Sequence, residues 1–122
     1  MKNKEYFSAK MGIYPRTLFI VKGKNKQKVI RDNFMARTGD ELTFNDKNIP
    51  VEACEWEVIE KKSNIHGFLV WIDKNVSFNA IVHESTHVAF ETFRDIGGIA
   101  DEDNQEPFAY LIGWIAGQIK NA

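Results

Sequence analysis

Near Asp73 the hydrophobic pattern of this chain changes period, and that change constrains its fold more than any other feature of its 122 residues. Upstream, apolar residues come in short runs or alternate with polar ones, as they do on strands; downstream, they recur at helical spacing. Thr17 to Lys22 is rich in β-branched and aromatic residues and reads as a strand. Lys22 to Lys28 reads as a polar turn containing Gly23, and Val29 to Arg37 as a returning strand. Turn signals at Arg37–Glu41 and Asn45–Asn48 flank Leu42-Thr43-Phe44. Cys54 to Ile59 alternates Cys, Trp and Val with Glu, the pattern of a half-buried strand. After a turn at Lys61–Asn64, Gly67 to Ile72 is continuously apolar, as a covered strand requires. The expectation is a twisted, mostly antiparallel meander of about four to six strands.

Two helices follow. Asn75 or Ser77 is placed to cap one that runs to about Ile96. Gly97-Gly98 supplies the left-handed residue that stops it. Ile99 to Gln105 is a short acidic loop. A second helix starts near Glu106-Pro107, where proline is tolerated in the first turn, and continues to about Lys120. The fold class is therefore α+β in a single domain over residues 1–122. Residues 1–73 are mainly strands and residues 74–122 mainly two packed helices.

Composition narrows the function. With 43% hydrophobic and 27% charged residues, the chain has the make-up of a folded domain and not of a disordered one. A net charge of −1 gives no general attraction to nucleic acid or an anionic membrane. No apolar stretch is long enough to span a bilayer. The first ten residues lack the apolar segment of a secretory signal. The single cysteine, Cys54, has no partner for an intramolecular disulfide and reads as a small buried side chain. These features lead to the expectation of a cytoplasmic location. The alternating Lys22, Lys24, Lys26 and Lys28 read as a solvated turn, since no aromatic platform accompanies them. The oligomeric state leaves no mark on the sequence.

The chemistry concentrates in Ile81-Val82-His83-Glu84-Ser85-Thr86-His87-Val88, a His-Glu-x-x-His sequence on the first of the two helices. Residues four apart on a helix differ by about 40° in direction and about 6 Å along the axis, so both imidazoles reach one metal ion from one face. Glu84, about 100° round from His83, flanks that face and is placed to hold a water. A catalytic zinc site takes three protein donors and a water. The positions where metzincins carry a further Gly and His are Phe90 and Phe93, which excludes that class. Candidate third donors are His66, Asp101, Glu102, Asp103, Glu91 and Glu106. Glu106 is favoured, because it opens the next helix and a helical hairpin can fold it back toward the histidines. Tyr110, one turn further on, is a candidate electrophile or a core tyrosine. Gly67–Ile72 is either an exposed edge for an extended peptide or an interior strand.

His83-Glu84-x-x-His87, followed by Asn104-Gln105-Glu106-Pro107-Phe108-Ala109, resembles the gluzincin group of zinc metallopeptidases. It is similar also to small zincin-like proteins of phages and prophages. The resemblance covers about residues 66–120. It implies a minimal zincin-like domain holding Zn2+ through His83, His87 and Glu106. Glu84 would be the general base and Tyr110 a second electrophile. The implied function is a metallohydrolase cleaving peptide bonds, with a peptide or protein as substrate. The alternative is a zinc-containing interaction module that binds a protein, such as a host factor, without catalysis.

Overall fold

The computed structural model describes residues 5–23, 26–42 and 53–122. It is α+β: a five-stranded mixed sheet carrying helices on both faces. The strands are β1 (Phe7–Lys10), β2 (Thr17–Lys22), β3 (Phe34–Ala36), β4 (Ala53–Glu60) and β5 (His66–Ile72). The helices are α1 (Lys26–Asn33), α2 (Phe78–Asp95) and α3 (Gln105–Asn121), with a 3-10 turn at Glu102–Asn104. Strand order across the sheet is β1-β2-β5-β4-β3. The β1–β2, β4–β5 and β3–β4 neighbours are antiparallel, whereas β2 and β5 run parallel. The sheet is thus mostly antiparallel, but it is not a simple meander.

β2, β4 and β5 lie where the alternating and apolar runs predict. Two elements correct the expectation. Val29 to Asn33 belongs to helix α1, not to a returning strand, and only Phe34–Ala36 pairs with the sheet. The β-branched pair Val29-Ile30 is outweighed by its helix-forming neighbours and by the i,i+4 pair between Lys28 and Asp32 at 2.6 Å. Ile30 is driven wholly into the core. The second addition is β1, an exposed edge strand with little apolar signal of its own. The turn expected at Asn45–Asn48, with Thr43 and Phe44 before it, lies outside the described residues.

Alternation sorts the sheet into two cores. Leu18, Ile20, Phe68, Val70 and Ile72 face α2 and α3 and pack with Val88, Phe93, Leu111 and Ile115. Phe19, Val21, Leu69 and Trp71 face the other way and pack with Ile30, Phe34 and Val58. β5 is interior, paired on both sides, so Gly67–Ile72 is not an exposed edge. Gly67 has a steric reason: a Cβ there would stand 2.0 Å from the Thr17 carbonyl oxygen.

Ser77 caps α2, its side chain accepting from the Ala80 amide at 3.1 Å. At the other end, the Gly97 amide donates to the Arg94 carbonyl and the Gly98 amide to the Phe93 carbonyl. With Gly97 at φ 72°, this is a Schellman stop. α3 then returns alongside α2, joined by the rings of Phe90, Phe93 and Phe108. No described helix is long and apolar enough to cross a membrane.

Candidate metal centre

His83, Glu84 and His87 sit inside α2, away from both of its capped ends. The helical period places His83, His87, Glu91 and Glu84 within an arc of about 100°. The apolar residues Ile81, Val88, Ala89 and Phe93 occupy the opposite side and bury it in the core. That division sets the orientation of the helix: hydrophobic burial fixes one side, and the titratable arc is turned toward β4 and solvent.

The two imidazoles meet. Their Nε2 atoms are 3.1 Å apart, and the rings lie edge to face at 4.7 Å. A zinc ion bonded at about 2.0–2.1 Å with tetrahedral angles holds two nitrogens about 3.3–3.4 Å apart. The pair therefore fits two corners of such a site with little adjustment. Both histidines are exposed, so the pair is reached from solvent. Glu84 differs in being only 8% exposed. Its Oε2 is 3.8 Å from His83 Nε2, outside hydrogen-bond range. Burial raises its pKa above the ordinary carboxylate value, and the two neighbouring histidines partly oppose that shift. Ser85 and Thr86, the residues between Glu84 and His87, donate their hydroxyls to the Ile81 and Val82 carbonyls. Those hydroxyls are committed to the helix.

The other sequence candidates do not join this pair. Glu106 is exposed on the first turn of α3. Tyr110 is 75% exposed and lines a hollow of about 290 Å³ with Met11–Tyr14, Pro107, Leu111 and Trp114, a hollow to which the motif contributes nothing. That hollow lies by the β1–β2 connection, whereas the motif helix packs on β4 at the other side of the sheet. His66 shares a small cleft with Arg16, Arg37, Glu57 and Asp95, next to the last turn of α2. Asp101, Glu102 and Asp103 are exposed, with Asp101 accepting from the Asp103 amide. Among the described residues, no group of three or more His, Cys, Asp or Glu side chains is arranged to hold a metal ion.

The polar surroundings come instead from β4. Ala53, Glu55, Glu57 and Ile59 share the sheet face on which α2 lies, since their cross-strand partners are Ile72, Val70, Phe68 and His66. Glu57 is clamped by Arg37 at 3.0 Å and by Arg94 of α2. Glu55 meets Glu91. Sequence reasoning missed Glu55 and Glu57 because an alternating strand is read as apolar toward the core and polar toward water. Here both strand faces are covered. Cys54, on the other face of β4, is half-buried, and burial pushes its thiol up to about 11. At neutral pH it is protonated and is no nucleophile.

Comparison with protein-family models, curated proteins and solved structures finds no match to this chain.

Proposed function

We propose that the chain is a zinc-dependent metallohydrolase of minimal zincin type, acting on a peptide or protein. The observation that carries this reading is the approach of His83 Nε2 and His87 Nε2 to 3.1 Å beside the buried carboxyl of Glu84. Bound zinc supplies a Lewis acid that polarises a carbonyl and makes water acidic enough to react near neutrality. The work of the chain's own residues is separate. His83 and His87 are held on one rigid helix face, so their donor nitrogens are oriented before any ligand arrives. Glu84 accepts the proton of the attacking water and delivers a proton to the departing amine. Its raised pKa suits both steps, because a base whose pKa lies nearer the working pH also becomes a better acid.

A second reading, a zinc-containing interaction module without catalysis, is favoured by the lack of a third converging donor among the described residues. The deciding experiment is the metal content of protein purified without chelator or affinity tag, followed by hydrolysis of a peptide library. About one zinc per chain with hydrolysis supports the enzyme. Zinc without hydrolysis supports the module. No zinc, and none taken up on titration, defeats both.

A further inference from the structure

α2 and β4 meet through two carboxyl groups. Glu55 on β4 and Glu91 on α2 approach within hydrogen-bond reach. One oxygen of each, Oε2, is fully buried and finds no partner among the described residues while both groups are ionised. Two carboxylates cannot bond each other, but a carboxylic acid donates well to a carboxylate. A single proton therefore lets the two carboxyls bond each other.

The charges around the pair favour retention of that proton. On α2, Glu84 and Glu91 face Glu55; on β4, Glu57 adds a further negative charge. Arg37 and Arg94 are engaged by Glu57. Cys54, next to Glu55, is a neutral thiol at ordinary pH. Burial, with Glu91 close by, pushes Glu55 up to about 9.

We propose that Glu55 and Glu91 share one proton across the α2–β4 contact, and that this proton latches the motif helix to the sheet, so that alkali releases it. The latch does not depend on the zinc reading and is tested without metal. The folded chain keeps a proton that the unfolded chain has lost above the ordinary glutamate value of 4.5. The stabilisation is complete below that value and declines as the pH rises through about 9. Across this window the unfolding equilibrium constant rises about tenfold per pH unit for one retained proton.

The test is carboxyl carbon NMR titration of the intact protein, with urea unfolding from pH 5 to 9.5 on wild type, Glu91→Gln and Glu55→Gln. One of the two carboxyls is expected to titrate near 9, and the tenfold slope to flatten in both variants. In each, the amide donates to the remaining carboxylate and no proton need be kept. Normal acidic titration of both carboxyls overturns the latch. So does an unchanged slope in Glu91→Gln. If the variants fail to fold, the wild-type titration decides alone.

Discussion

Replacing Glu84 by Gln separates the roles on the motif helix. The side chain keeps its shape, and the carboxyl makes no hydrogen bond to His83 at 3.8 Å, so the imidazole pair keeps its orientation. What the variant loses is charge and basicity. The charge effect on zinc is screened, because the His83 side chain is 66% exposed. One unit charge at about 4 Å in water contributes about 1 kcal/mol, hence about 2 kcal/mol for a dication, or a fall in affinity of about thirtyfold. The basicity effect is larger. A positioned general base contributes about 10²–10⁴ in rate, which is about 3–5 kcal/mol of barrier. Glu84→Gln is thus expected to bind zinc within about thirtyfold of wild type and to hydrolyse peptides at least about a hundredfold more slowly. Competition titration against a chromogenic chelator gives the first quantity, and initial rates on saturating peptide the second. Loss of all measurable zinc would make Glu84 a ligand and refute its role as base; hydrolysis at the wild-type rate would refute it from the other side.

Because Glu106 does not converge on the histidines, Glu106→Ala is expected to leave zinc affinity within about threefold, far less than loss of a true ligand costs; a drop of tenfold or more in the same titration restores it as the third donor. Alkylation of Cys54 by iodoacetamide is expected to be slow at pH 8 and to accelerate about tenfold per pH unit toward about 11, the thiol's raised value; a rate that levels off near pH 8 would contradict that burial effect. Gly67→Ala puts a Cβ 2.0 Å from the Thr17 carbonyl oxygen and 2.8 Å from Phe19 Cε2, both in the centre of the sheet. Overpacking of this kind costs about 1–3 kcal/mol, and the fixed backbone argues for the upper end, read as a lower urea midpoint.

How far the sequence reveals the structure differs from element to element. Thr17–Lys22, Cys54–Ile59 and Gly67–Ile72 are visible because their patterns state directly which side chains must leave water. The ends of α2 are visible because Ser77 and Gly97 do chemically specific work at them. Phe7–Lys10 is not, since an edge strand in contact with solvent carries no apolar periodicity. The parallel pairing of β2 with β5 is hidden for a different reason: a continuous apolar run describes any interior strand, whatever the direction of its neighbours. At the site, the meeting of His83 and His87 follows from helical spacing alone. The separation of Glu106 from them depends on where α3 lies over the sheet, which spacing within α3 does not encode.

α2 is held by two seams of opposite character. Along α3 the contact is oily, built from Phe90, Phe93 and Phe108; along β4 it is ionic, built from Glu55, Glu57, Glu91 and Arg94. Solvent separates charged surfaces far more readily than greasy ones. Any loosening of α2 is therefore expected to begin along β4, with the aromatic contact to α3 parting last.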